Sequence, residues 1–314
     1  MSTNLSEVLL MTSDTKDLSS TTTGTTELLT NKDLVSLGSI SHGMFDDFGP
    51  TRDKIILQKF LLSVAHGEQD KSEQLLAIRP GTPAKWLQGA CEFTDYSGRT
   101  FNCTAFEYAY WAKDIHMCNM LESYMDLETK ALMLRKINAI EEGGLSYQYQ
   151  GVIEQTPHFN LNQLKQALEH YMKGYDDWFR TDDDVAIEAA WMLVGKAQRN
   201  LPAHIANEYC RKDRNFYKAT FKEITLPRTL KFNNRTTRND DFWFPLRAPD
   251  SGLGFNFAIM RSLAENAIGG GWRIPGRMFF ERRAINLLDE VRTADIMHLR
   301  ERLNSPRVAP DMVL

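Results

Sequence analysis

Mainly α-helical structure is what the sequence predicts, and three observations support it. Apolar residues recur three and four positions apart in several segments, as at Leu127, Leu134 and Ile137. Helix-start signals precede such segments: Thr104 is followed three residues later by Glu107, which is the pattern of a capping box. Short β-branched and aromatic runs are concentrated after residue 223, where Asn, Asp, Pro and Gly interrupt them. We therefore expect a mainly α fold whose C-terminal part is either irregular or forms a small hairpin.

Shifts in composition divide the chain into four parts. The N-terminal stretch TSDTKDLSSTTTGTTELLT is rich in Ser and Thr and poor in aromatics, so burial cannot offset the entropy of ordering it. We read it as a flexible leader. The predicted parts are the leader at residues 1–49, two helical units at 50–125, a helical domain at 126–222, and a loop-rich region with a terminal helix at 223–314.

Length and charge exclude several classes of protein. With 42% hydrophobic residues, 25% charged residues and a net charge of −4, the chain is typical of a soluble globular protein and has no basic excess that would call for nucleic acid. We find no apolar run of about 18 residues and no Sec signal peptide, so no membrane span is expected. The 4 cysteines have no CxxC spacing, which predicts reduced thiols that pack in the interior of a cytosolic protein.

The segment at residues 95–121 combines a turn with two helices. Asp95, Ser97 and Gly98 have the composition of a tight turn. The capping box then starts a helix, which we expect to break at Asp114 and to restart at Ile115. A turn followed by two short helices is the anatomy of one unit of a helical repeat.

This segment resembles an ankyrin unit. Thr104, Ala105, Phe106 and Glu107 stand where the ankyrin consensus has Thr-Pro-Leu-His, and Ala109 and Leu121 stand at its helix positions. A second segment, LLSVAHGEQDKSEQLL at residues 61–76, is similar to another unit, with Gly67 in the turn between its helices and Leu75-Leu76 as its closing pair. The resemblance implies two degenerate ankyrin-like units about 40 residues apart, fewer than a self-standing array needs.

The same segment is the predicted protein-docking surface. Ankyrin-like units imply a broad surface with aromatic and charged anchors and no deep pocket. The predicted partner-binding residues are Phe106, Tyr110, Trp111, Lys113, Asp114 and His116.

Catalytic candidates are found in the passage NLPAHIANEYCRKDRNF. His204 and Glu208 are four residues apart and share a helix face, and Cys210 follows. A Cys-His nucleophile pair is one interpretation, but six residues separate His204 from Cys210, and the second His of the zinc-protease pattern is missing. A His-Glu packing pair beside a buried Cys is the other interpretation. The three acidic residues at 182–184 fit the start of a helix, so we expect neither a metal nor a cofactor.

Basic residues interleave with aromatics in LPRTLKFNNRTTRNDDFWFPL. Arg228, Arg235 and Arg238 form a candidate anion-binding group, since such interleaving occurs in phosphate and nucleic-acid sites. Acidic neighbours offset the local charge, so the alternative is a packed loop region. The glycines of GLGF and GGGW match no phosphate-loop pattern.

Several phrases resemble uncharacterised proteins of Legionella-type intracellular bacteria. They are DYSGRTF, TAFEYAYWAKDIHMCNML, AQRNLPAHIANEYC, LPRTLKFNNRTTRNDDFWFPL, SGLGFNFA and LDEVRTADIMHLRERL, and the resemblance covers roughly residues 55–305. Such proteins are often exported into a host cell by a type IV system. The resemblance therefore implies a bacterial cytoplasmic location before export and a host cytoplasmic location afterwards.

Two functional hypotheses follow from the sequence. The first is a translocated effector that acts as a protein-protein interaction scaffold and binds a protein of the host. The second is an enzyme that modifies a host protein or nucleotide, with its site between the middle helices and the C-terminal loops. The enzyme hypothesis requires His204, Glu208 or Cys210 to converge with basic groups such as Arg228 around one substrate.

Overall fold

The computed structural model describes residues 49–77, 83–211, 213–234, 239–244 and 275–304. Nearly all of the predicted leader, the glycine-rich GLGF and GGGW segments and the C-terminal tail lie outside these residues. The helices are α1 Gly49–Ala65, α2 Gln69–Ala77, α3 Pro83–Gln88, α4 Ala105–Ala112, α5 Ile115–Ser123, α6 Leu127–Gly143, α7 Asn162–Arg180, α8 Asp184–Arg199, α9 Ala203–Cys210 and α10 Pro275–Asn304. The strands are β1 Cys91–Thr94, β2 Thr100–Cys103, β3 Leu145–Tyr149, β4 Val152–Thr156, β5 Lys231–Asn234 and β6 Asn239–Phe242. The mainly α prediction is confirmed.

Helix boundaries in the segment at 95–121 follow from local chemistry. The Thr104 hydroxyl accepts the Glu107 N–H while the Glu107 carboxylate accepts the Thr104 N–H, which completes the predicted capping box. Lys113 ends α4 in the left-handed region, at φ 62°. Asp114 then caps α5, because its Oδ1 accepts the Met117 N–H at 3.1 Å.

A four-stranded antiparallel sheet lies beside these helices, and the sequence did not predict it. Its strand order is β1-β2-β3-β4. The β3–β4 hairpin closes through Gln150 and Gly151, both at positive φ (51° and 81°), as a two-residue hairpin turn requires. The C-terminal part contains the small hairpin β5–β6, which was one of the two predicted alternatives.

Two hydrophobic cores organise the described residues. The first core joins α1 to α6 with the inner face of the sheet, and Trp111, Phe101 and Phe106 are fully buried in it. It extends through Tyr147 and also includes Ile296 and Leu299 of α10. The second core joins α7, α8, α9 and the N-terminal part of α10 around Tyr171, Trp191 and Trp243.

Helix α10 contributes to both cores. Leu288 packs in the second core, and Ile296, two turns later, packs in the first. Arg292 lies midway between them on the same helix face, buried to 3% exposure. The junction between the cores therefore carries a buried charge on a helix that spans it.

The turn that begins the 95–121 segment docks onto the second half of the molecule. Arg99 is held by Asp95 and donates from Nη1 to the carbonyl of Asn200 at 2.9 Å, at the C-terminal end of α8. Its guanidinium lies over both the Trp111 and the Phe159 rings, at 5.3 and 5.0 Å from their centroids. One cation thus satisfies a helix end in one half and stacks on aromatics of the other.

Candidate functional site

Charged and imidazole side chains from four parts of the chain meet between the two cores. Asp114 and His116 come from the start of α5, and His204 and Glu208 come from α9. The remaining two, Arg228 and Arg292, come from the loop before β5 and from α10. We call these six residues the ionic cluster: Asp114, His116, His204, Glu208, Arg228 and Arg292.

Arg228 and Asp114 form a bidentate pair. Nη1 of Arg228 donates to Oδ2 at 2.7 Å and Nη2 donates to Oδ1 at 2.9 Å. The side-chain oxygen of Gln69 accepts two further N–H groups of the same guanidinium. Burial opposes ionisation of Asp114, but the charge and hydrogen bonds of Arg228 lower its pKa below the ordinary value. Arg228, predicted to bind an anion, therefore binds a carboxylate of its own chain.

Glu208 is enclosed by arginines. Its carboxylate accepts a hydrogen bond from Arg214 and another from Arg292 at 2.8 Å, while Arg211 lies 3.9 Å away. Burial raises the pKa of Glu208, and the three guanidinium groups act in the opposite direction. The carboxylate has no access to solvent, so its role in the described structure is to pair with these cations.

Arg292 connects Glu208 to His116. Its Nη2 lies 2.8 Å from Glu208 Oε1 and 3.3 Å from Nε2 of His116, and its Nη1 donates to the carbonyl of Phe221. Nδ1 of His116 lies 3.0 Å from the carbonyl of Ile224, which can only accept, so the proton belongs on Nδ1 and Nε2 accepts from Arg292. His116 is therefore neutral in this arrangement, in agreement with a pKa that burial lowers.

His204 is the least satisfied member of the ionic cluster. It is 2% exposed, and its Nε2 has no hydrogen-bond partner. Burial, together with the nearby guanidinium groups, lowers its pKa to about 3 although Asp114 acts in the opposite direction. A neutral imidazole with a free nitrogen is thus held between the two cores.

A small cavity adjoins His204. Its volume is about 10 Å³, and Lys113, Phe159, Asp289 and Arg292 line it together with His204. Nε of Arg292 is a second buried polar atom without a partner there. The volume suits one water molecule, well below the several hundred Å³ that substrate pockets occupy.

The predicted partner-binding residues are turned toward the interior of the molecule. Phe106, Tyr110 and Trp111 are fully buried in the first core, and Asp114 and His116 are buried in the ionic cluster. Lys113 is half-buried, and its Nζ donates to Asp289 and to Thr293 at 2.9 Å each. The first core therefore covers the three aromatic residues, whereas Lys113, Asp114 and His116 contact the C-terminal half of the same chain.

The other predicted site residues are only partly brought together. His204 and Glu208 both join the ionic cluster, whereas Cys210 is buried at the end of α9 in the second core. Arg235 and Arg238 lie outside the described residues. Among the residues that the structure describes, no group of three or more His, Cys, Asp or Glu side chains could hold a metal ion.

Arg292 is the cluster member that sequence reasoning missed. A signal was present, because Arg292 stands four residues after Leu288 and four before Ile296, within the apolar stripe of the terminal helix. A lone cation on an inward-facing stripe requires a buried partner. The partner, Glu208, lies 84 positions away in the sequence, and the spacing gives no indication of it.

The described fold is a mainly helical protein with two cores joined by a buried ionic cluster, and none of its described helices is long and apolar enough to cross a membrane. Residues 163–303, which contain the second core, match the family described as the CBUA0006 C-terminal domain. The chain is 35% identical over 269 residues to the uncharacterised protein CBUA0006 of Coxiella burnetii, over 80% of this chain and 76% of that protein. The chain belongs to the family of that protein. No solved structure matches it significantly.

Proposed function

We propose that this protein is a binding protein, which presents a rigid surface to a protein partner and performs no catalysis. The observation that carries the proposal is the enclosure of the ionic cluster. His204 and Glu208 are buried, they are surrounded by groups of the same chain, and the adjoining cavity has room for one water molecule. The small cavity beside His204, as the described residues line it, is too small to hold a substrate.

Exposed apolar side chains on both halves support a binding role. They include Leu127 and Ile153 on the N-terminal half and Phe179, Val185 and Leu193 on the C-terminal half. Single exposed hydrophobics are ordinary, but protein partners use aromatic and aliphatic anchors of this kind. The binding surface lies outside the 95–121 segment, since that segment is covered by the chain itself.

The finer fold and the cellular context complete the proposal. The helix pairs α1–α2 and α4–α5 are two degenerate ankyrin-like units, separated by α3 and the β1–β2 hairpin. The protein is a translocated effector, made in the bacterial cytoplasm and exported into the host cytoplasm by a type IV system. Kinship with a protein of Coxiella burnetii supports this context.

Intact-mass measurement of a captured partner distinguishes binding from catalysis. Full-length wild type and His204→Gln are each mixed with a partner captured from host lysate, with His298→Gln, an exposed position on α10, as the matched control. We expect stoichiometric co-elution with all three proteins and an unchanged partner mass. A partner mass changed by wild type and by His298→Gln, but not by His204→Gln, would establish an enzyme.

An enzyme is the second candidate function, and one observation favours it. Nε2 of His204 and Nε of Arg292 are both unpartnered and both belong to residues that line the same cavity. Such a pair could polarise a water molecule for hydrolysis, provided that the cores separate to admit a host protein or nucleotide. Hydrolysis of nucleoside triphosphates by wild type, lost in His204→Gln with the fold retained by circular dichroism, would support this candidate.

A further inference from the structure

The free edge of the four-stranded sheet is the strongest unassigned surface in the described structure. Strand β4 pairs with β3 on one side, and no strand of the described residues pairs with its other side. The opposite edge, β1, is packed against α1. The β4 edge therefore has backbone groups without a strand partner among the described residues, and four of its five side chains are exposed although β4 also contacts α6.

Strand β4 lacks the devices that usually protect an edge. Natural edge strands carry Lys, an internal Pro or a bulge, which prevent another strand from pairing. In β4 the first two residues are Val152 and Ile153, 60% and 76% exposed, and its one charged residue, Glu154, accepts a hydrogen bond from the Tyr147 hydroxyl at 2.8 Å. The regular five-pair register with β3 leaves the strand straight and accessible.

Charge decides which segment fits this edge. Glu154 is the one charged residue of β4, and the chain carries no Lys or Arg between residues 141 and 164. A second copy paired at this edge would bring its own Glu154 close to the first, so pairing of two β4 edges is electrostatically opposed. A segment with basic residues alternating with aliphatic residues would satisfy both the charge and the apolar positions.

We infer that β4 is a docking edge for an extended segment of a partner protein, in which Lys or Arg alternates with Val, Ile or Leu, and which adds to the sheet as a fifth strand. This inference rests on the proposed binding function and names the class of its partner. Backbone hydrogen bonds along β4 supply affinity, Ile153 contacts the aliphatic side chains on one face of the sheet, and Glu154 selects the basic ones on the other face.

Three labelled peptides test the inference with the full-length protein. The first is Lys-Val-Lys-Val-Lys-Val-Lys, the second has Pro in place of the central Val, and the third has Glu in place of every Lys. Fluorescence anisotropy should show that the first binds at least about tenfold more tightly than the other two, because Pro removes a backbone donor and Glu reverses the charge. Ile153→Lys should weaken the first peptide by a similar factor, and Leu193→Lys, an exposed apolar position on α8, should not.

Hydrogen exchange locates the bound peptide. The amides of residues 152–156 should become protected when the first peptide is added, and protection should decrease at higher salt. Equal binding of the Pro peptide, or protection elsewhere with β4 unchanged, would overturn the docking edge. If the host partner is still captured equally by wild type and by Ile153→Lys, the edge is refuted while the binding function stands. A dimer of the free protein that Ile153→Lys disrupts would instead assign the edge to a second copy.

Discussion

Arg228 donates two parallel hydrogen bonds, of 2.7 and 2.9 Å, to the carboxylate of Asp114, although the two residues are 114 positions apart in the sequence. The same carboxylate caps helix α5. The Asp114 side chain therefore caps the start of α5 in the N-terminal half and also binds Arg228 in the loop that leads to β5. Loss of either residue acts on both halves at once.

Removal of Arg228 should be strongly destabilising. Arg228→Met leaves a carboxylate buried without its cation, and breaking such a pair costs about 3–5 kcal/mol of unfolding free energy. Urea denaturation at pH 7 measures the loss. The control is Arg228→Met combined with Asp114→Asn, because Asn keeps the helix cap and carries no charge. The double variant should be more stable than Arg228→Met alone, and the opposite order would contradict the pairing.

Acid should weaken the protein through His204. Its pKa falls from an ordinary 6.5 to about 3 on folding. Below pH 6.5 His204 is therefore protonated in the unfolded chain but stays neutral in the folded chain. The contribution of His204 to stability is thus retained above pH 6.5 and decreases as the pH falls. Between pH 7.5 and 5.5 wild type should lose about 1 kcal/mol more unfolding free energy than His204→Gln, measured by urea denaturation at both values. Equal losses would mean that His204 protonates freely in the folded protein.

Glu281 should have the opposite pH dependence. It is fully buried, accepts from the Tyr209 hydroxyl at 2.7 Å and from Gln198 at 2.8 Å, and burial raises its pKa to about 7. Its stabilising contribution is complete below its unfolded pKa near 4.5 and is lost as the pH rises through 7.

Glu281→Gln tests this dependence, because Gln resembles the protonated acid and cannot ionise. Relative to wild type, the variant should gain about 2 kcal/mol of unfolding free energy between pH 5 and pH 8. Thermal denaturation at the two pH values provides the measurement. A difference that does not change with pH would show that Glu281 is ionised throughout this range.

Alanine substitutions at two glycines distinguish the cost of backbone strain from the cost of a steric clash. Both Gly67 and Gly98 have positive φ, at 71° and 85°. A Cβ on Gly67 would lie 3.1 Å from the Cβ of Ala203 in α9, whereas a Cβ on Gly98 would meet nothing within 4 Å. Gly98→Ala should therefore cost only the left-handed strain, about 1 kcal/mol.

Gly67→Ala should cost more than Gly98→Ala, because it also pushes α9 away from the α1–α2 turn. Differential scanning calorimetry of the two variants checks the order, with wild type as the reference. Similar melting temperatures for both variants would indicate that α9 moves freely to accommodate the extra carbon.

Local signals in the sequence predicted local structure well. The capping box of Thr104 and Glu107, the break at Asp114 and the glycine turn at Gly67 are all present in the structure, because each depends on neighbours within five residues. The β3–β4 hairpin was missed although it has a signal of its own: Gln150-Gly151 between two runs that contain Tyr, Val and Ile.

Long-range relationships could not be predicted in the same way. The apolar and aromatic character of Phe106, Tyr110 and Trp111 suggested a surface for a partner, and it is equally the character of a core. Sequence spacing contains no information about which distant element covers such a face. His204 and Glu208 were correctly placed on one helix, but Arg292, which pairs with Glu208, and Arg228, which lies near His204, are brought to them by tertiary folding alone.

The Arg99 guanidinium lies over the rings of Trp111 and Phe159 and also binds the end of α8, which has a consequence for how the protein can be divided. A fragment that starts at the family boundary, residue 163, loses the donor to Asn200, the carboxylate partner of Arg228 and the imidazole beside Arg292. In the fragment, Arg228 and Arg292 would therefore lack the partners that they have in the full-length protein. We therefore expect residues before and after the family boundary to unfold together in one cooperative transition.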